Sequence, residues 1–185
     1  MDIKSQNVLD YYGDNVIFMV WNFRKDLDVK DSFARITKLV INLNNSADNR
    51  FPDSGASCVM GIGYDAWLRL HLPVPLPKEL ENFMPIVGEK HTAVSSKGDL
   101  HFHIRGNGSS MCYDMAHSLS DVLEPVAISA EEIHGFRYWD SRSILGFVDG
   151  TENPHEQERA LFGLVCYDDP EFKGGSYLFC SKIYS

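Results

Sequence analysis

Hydrophobic residues along this chain alternate between a strand-like and a helix-like period. Val16 to Phe23 is apolar on both faces, with Ile17, Phe18, Val20 and Trp21, and predicts a central strand covered on both sides. Val29, Phe33, Ile36, Val40 and Leu43 then recur at helical spacing behind Asp28, a good N-cap type, and predict a helix from Val29 to Asn44. Asn44 to Gly55 reads as a turn-rich loop. Ala56 to Tyr64 predicts a second strand, Asp65 to Leu72 a short helix, and the prolines from Pro73 to Pro85 an extended, irregular connection. From Asp99 to Arg105, Leu100, Phe102 and Ile104 alternate with His101, His103 and Arg105, which predicts a third strand. Ser109 or Ser110 can cap a second helix, whose buried side carries Cys112, Met115, Ala116, Leu119, Val122 and Leu123. Ile133 to Trp139 predicts a fourth strand. Leu161 to Tyr167 and Ser176 to Phe179 predict two more, separated by the Asp168-Asp169-Pro170 and Gly174-Gly175 breaks.

The order strand, helix, strand, strand, helix, strand suits an antiparallel sheet with both helices on one face, the ferredoxin-like α+β arrangement. It divides the chain into a lead-in over 1–14, a first domain over 15–140, and a signature loop with the start of a second, similar domain over 141–185.

Chemistry concentrates in Gly146-Phe147-Val148-Asp149-Gly150-Thr151-Glu152-Asn153-Pro154. One carboxylate, Asp149, follows an apolar pair and stands between glycines, where a backbone can turn sharply and approach a flat ligand. That setting suits a catalytic base. Asp-Gly followed by Asn-Pro is equally ordinary turn chemistry.

The full nonapeptide resembles the signature of the dye-decolorising peroxidases, haem enzymes that use hydrogen peroxide. Ile133-His134-Gly135-Phe136-Arg137-Tyr138-Trp139-Asp140 before it and Gly174-Gly175-Ser176-Tyr177-Leu178-Phe179 after it resemble the same family, in the same order. The resemblance implies paired ferredoxin-like domains of the dimeric α+β barrel type, with haem b held in the second. It matches Asp149 to the catalytic distal carboxylate, and Phe147, Val148, Gly150, Thr151, Glu152 and Asn153 to the loop along the haem. Hydrogen peroxide and a small aromatic reductant are the implied partners. It also implies that the iron-ligating histidine and a distal guanidinium come from segments beyond Ser185, so no metal ligand is assigned here. The tail from Cys180 to Ser185 departs from the family pattern, and an interrupted second domain is expected. Uncovered strands at 161–167 and 176–179 are then expected to drive self-association into a homo-oligomer or to stay disordered. The alternative function is a non-catalytic ferredoxin-like association module that cannot hold haem.

Composition narrows the classes. A net charge of -9 opposes nucleic acid and anionic membrane surfaces. No apolar run reaches the roughly 20 residues that span a bilayer, and Met1 to Ser5 opens into polar sequence, so a cytoplasmic location is expected. Cys58, Cys112, Cys166 and Cys180 form no Cys-x-x-Cys pair and read as reduced, mostly buried thiols. His101 and His103 share a strand face, compatible with a metal site lacking a third ligand or with plain surface imidazoles. Gly61-Ile62-Gly63 suits close strand packing better than a phosphate site.

Overall fold

The computed structural model describes residues 5–10, 13–148 and 150–181. A sheet of four antiparallel strands, β1 (Asn15–Phe23), β2 (Ser57–Ile62), β5 (Leu100–Gly106) and β6 (Ala127–Phe136), runs in the order β2-β5-β1-β6. The helices α1 (Lys30–Arg50) and α3 (Ser109–Leu123) pack against it and each other. A short helix α2 (Tyr64–Arg69) and a small hairpin, β3 (Ile86–Val87) with β4 (Thr92–Ala93), interrupt the connection between β2 and β5. This is the ferredoxin-like α+β order predicted from the pattern.

The core forms where the two periods meet. Ile17, Met19, Trp21 and Phe23 of β1 and Leu100, Phe102 and Ile104 of β5 point to one face. Onto that face α1 lowers Ile36, Val40 and Ala47, and α3 lowers Cys112, Met115, Ala116, Leu119 and Leu123. The other side of β1 is only half-buried, so the strand is central in the sheet but not covered on both faces. Both helices lie on one side, which leaves Val16, Phe18 and Val20 with partial shelter.

Other expectations are corrected by tertiary contacts. Helix α1 continues past Asn44 to Arg50, because Ala47 extends the buried stripe and Arg50 suits the helix C-terminus; Pro52 lies just beyond the stop. Val29 is the N-cap residue, although the Lys30 N–H still donates to the Asp28 carboxylate at 3.1 Å. Gly108, not Ser109 or Ser110, caps α3 without a side-chain bond. Strand β6 begins at Ala127, well before Ile133, because its partner β1 extends to Phe23 and Phe23 pairs with Ala127.

The two late strands are absent among the described residues. Helix α4 (Glu156–Gly163) takes Leu161 to Gly163, and Val165 bonds only locally, its N–H to the Gly175 carbonyl and its carbonyl to the Gly174 N–H. An apolar run becomes a strand only beside a partner, and the Arg159-Ala160-Leu161 run favours helix locally. The segment after α4 is anchored along the α2–β3 connection. The Lys78 N–H donates to Asp169 at 2.8 Å, the Glu79 N–H to the Tyr177 hydroxyl at 3.1 Å, and Phe83 meets Phe179 with centroids 5.2 Å apart.

Candidate functional site

The signature is built from turns. Arg137, leaving β6, donates from its backbone to the Asp14 carbonyl at 2.7 Å and from Nε to Ser141 Oγ at 2.7 Å. Arg142 then grips Asp140 through two bonds of 2.6 Å, which holds the Asp140 carboxyl below its usual range and raises the guanidinium. The Arg142 backbone bridges Val148, and the Ser143 N–H donates to the Phe147 carbonyl at 2.8 Å. Between them the Gly146 N–H closes onto the Ser143 carbonyl at 2.9 Å with φ +94° at Gly146, a conformation that suits a residue without Cβ.

A second turn follows at once. Gly150 has φ +75°, and the Asn153 N–H donates to its carbonyl at 3.1 Å. A Cβ on Gly150 would stand 2.8 Å from Asn153 Nδ2. His155 then caps α4 with extended backbone. Asp149 lies outside the described residues, in the single position between these two turns. Thr151 to His155, with Glu158 and Phe162, line an open depression of about 350 Å³. Phe147 is 70% exposed, and Leu145, Val148 and Phe162 also face solvent. Within that lining Pro154 and Phe162 supply apolar surface and Thr151, Glu152 and Asn153 polar groups.

The other candidates lie apart from it. His101 and His103 sit on the half-covered sheet face, where the Phe18 ring stacks on His103 at 4.7 Å. Burial lowers both imidazoles, His103 to about 4 with added repulsion from Arg105 and His101. His101 Nε2 stands 3.7 Å from Cys180 Sγ. No cluster of three or more metal-ligating side chains able to hold an ion occurs among the described residues. His134 instead meets Glu132 at 2.7 Å.

The larger trough, about 950 Å³, lies between β1, α2 and Lys97. Several of its groups are already committed: Lys97 to Asp65 at 2.7 Å, Asp99 to the Phe23 N–H at 2.8 Å, and Arg69 to the Arg24 and Leu27 carbonyls. Sequence reasoning missed the Asp140–Arg142 fork and the turn at Ser143, whose Oγ is buried with no partner among the described residues. An Asp-x-Arg spacing ahead of the glycines was the available signal.

A four-stranded antiparallel sheet with two helices on one face, followed by a segment of glycine turns, defines a ferredoxin-like α+β protein. The profile described as Dyp-type peroxidase, N-terminal, matches residues 6–137, and that described as Dyp-type peroxidase, C-terminal, matches residues 140–185. The chain belongs to the Dyp-type peroxidase family. A dye-decolorizing peroxidase of Rhodococcus erythropolis is 37% identical over 179 residues, covering 96% of this chain and 51% of that protein. A crystal structure of a dye-decolorizing peroxidase from Bacteroides thetaiotaomicron superposes with a TM-score of 0.87 at 43% identity, over 92% of this chain and 55% of that one. A DypB variant of Rhodococcus jostii in complex with haem gives a TM-score of 0.84 at 34% identity, over 91% and 54%. The chain spans about half the length of the curated relatives it matches.

The residues present suit a flat apolar ring in kind: Leu145, Phe147, Val148 and Phe162 are exposed apolar side chains, and Gly146 and Gly150 have positive φ. On the described part of this loop the only imidazole is that of His155, at the α4 cap.

Proposed function

We propose that this chain carries the distal, peroxide-facing part of a haem-dependent dye-decolorising peroxidase, which reduces hydrogen peroxide and oxidises a dye or phenolic donor. The observation that carries this reading is the pair of positive-φ glycines, Gly146 and Gly150, on either side of Asp149 in the sequence, with Phe147 and Val148 exposed. Haem, when bound, supplies the iron centre at which peroxide is reduced. Phe147, Val148 and Gly150 would hold its apolar side, and Thr151, Glu152 and Asn153 its polar edge.

Asp149 is the proton carrier. Its carboxylate would take a proton from hydrogen peroxide and give it to the oxygen that leaves as water, while the haem would supply the redox chemistry of the O–O bond. With a reference pKa of roughly 3.9, an aspartate stays deprotonated in mildly acidic solution where an imidazole would already be protonated. Asp149→Asn is expected to slow peroxide-dependent dye oxidation by roughly 10²–10⁴ while haem uptake persists, read by stopped-flow kinetics beside a haemin titration. Undiminished turnover in that variant removes Asp149 from the mechanism.

A second reading, a non-catalytic association module, is favoured by the lack of an imidazole other than His155 on the described part of the loop. Adding haemin to the purified chain separates the two: a saturable Soret band with dye turnover supports the enzyme, and neither supports the module. We further propose a first domain over 15–140 with 141–185 opening a second, a cytoplasmic location, and a homo-oligomer that binds neither nucleic acid nor membrane. The net charge of -9 supports the last point, and among the described residues no helix is long and apolar enough to cross a membrane.

A further inference from the structure

A four-stranded open sheet has two free edges, and here they differ. At β2 the outward groups are occupied by side-chain amides. Asn44 Nδ2 donates to the Cys58 carbonyl at 2.9 Å and Asn44 Oδ1 accepts the Cys58 N–H at 2.7 Å. Two residues on, Gln6 Nε2 donates to the Met60 carbonyl at 2.9 Å and Gln6 Oε1 accepts the Met60 N–H at 2.8 Å. Each amide imitates the backbone of a neighbouring strand, at successive positions of the same period. That edge is plugged.

Among the described residues no strand pairs with the outer edge of β6. Over its ten residues it has one ladder partner among the described residues, β1. Helix α1 packs chiefly over β2 and α3 over β1 and β5, so neither shelters it. Ser129, Ala130, Glu132, His134 and Phe136 are exposed along it. Its length and one-sided pairing make it a template for a further strand.

We propose that this edge docks the β6 of a second copy, antiparallel about a two-fold axis at Ile133. The proposal rests on the self-association put forward above and assigns its surface. Because the β2 edge is plugged, copies cannot add head to tail through the sheet, and a pair joined edge to edge closes as an isologous dimer. Charge narrows the register. Copies with a net charge of -9 repel one another, and like charges directly opposite destabilise a strand pair. An axis at Glu132, or between Glu131 and Glu132, sets carboxylate against carboxylate. An axis at Ile133 sets Glu132 against the partner's His134, twice by symmetry, and Phe136 against the partner's Ala130. Glu132 and His134 already meet on one face of the strand at 2.7 Å, so both are directed suitably.

Sedimentation equilibrium of the full chain, with circular dichroism to verify folding, tests this. The wild type is expected to dimerise. His134→Glu should raise the dissociation constant at least about tenfold, since it turns both cross-strand pairs repulsive. The double variant Glu132→Lys/His134→Glu should restore it by setting opposite charges across the two strands. A monomer at every concentration overturns both the self-association and its surface. A dimer whose constant is unchanged in His134→Glu overturns the β6 surface alone and leaves association through the apolar residues of 139–179.

Discussion

Burial beside Phe18 strips water from the His103 imidazole, and Arg105 and His101 add like charge, so its pKa falls from 6.5 to about 4. The unfolded chain takes up this proton near 6.5, the folded chain only near 4. The folded state therefore binds fewer protons through that window, and the contribution of His103 is whole above about pH 6.5 and lost as pH falls toward 4. His101 is shifted in the same direction by burial and adds to the effect. Solvent screening of a ring that is only partly covered reduces the loss to about 2 kcal/mol. His103→Phe keeps an aromatic ring against Phe18 and removes the titration. Its thermal midpoint is expected to fall less than that of the wild type between pH 7 and pH 4, by several degrees in a comparison of unfolding curves across that range. The carboxylates common to both proteins cancel in that difference.

At the scale of elements, Asn44 belongs to two at once, lying on α1 while completing the edge of β2 through bonds of 2.9 and 2.7 Å. Asn44→Ala gains a few tenths of a kcal/mol in helix propensity but leaves the Cys58 N–H and carbonyl unpaired, at a cost of about 1–3 kcal/mol. The loss should win. A lowered urea midpoint with an unchanged m-value is the expected result, with a new tendency to aggregate through the opened edge. This dual role also explains what was legible in the sequence. The alternation of β5 and the stripe of α3 read correctly because one side of each meets the core and the other meets weaker contacts. Asn44 resembles a turn residue by type, and only its partner across the sheet reveals why the helix runs on. The first half of β6, Ala127 to Glu132, carries two adjacent acids on an exposed edge, so its strand character comes from β1 alone. At the loop, the glycines and Asp149 were readable as a motif. The Asp140–Arg142 fork depends on how the chain doubles back, which periodicity does not encode.

Across the whole molecule, burial is divided sharply along the chain. The core cluster runs from Ile17 to Ala127, and after residue 137 the only buried hydrophobic side chain among the described residues is Val165. Beyond β6 the exposed side chains include Trp139, Leu145, Phe147, Phe162, Tyr167 and Phe179, more apolar surface than a soluble domain usually leaves uncovered. The later segment is held by a few contacts, chiefly Asp169 with Lys78, Phe172 with Trp67 and Phe179 with Phe83. Its stabilisation is small beside that of a packed sheet and two helices, so it should open locally while the core stays folded. Limited trypsin digestion is expected to cut first at Arg142 or Lys173, both exposed, and to leave a folded product ending near Arg142. Mass spectrometry identifies the product, and circular dichroism should show that it keeps the strand and helix signal of the whole chain. This is the outcome if 15–140 is a domain with its own core. Cleavage within β1, β5 or α3 at the same rate would mean that the later segment stabilises the sheet from its half-covered face, through the Cys180–His101 contact, and that the boundary near residue 140 does not exist as a folding unit.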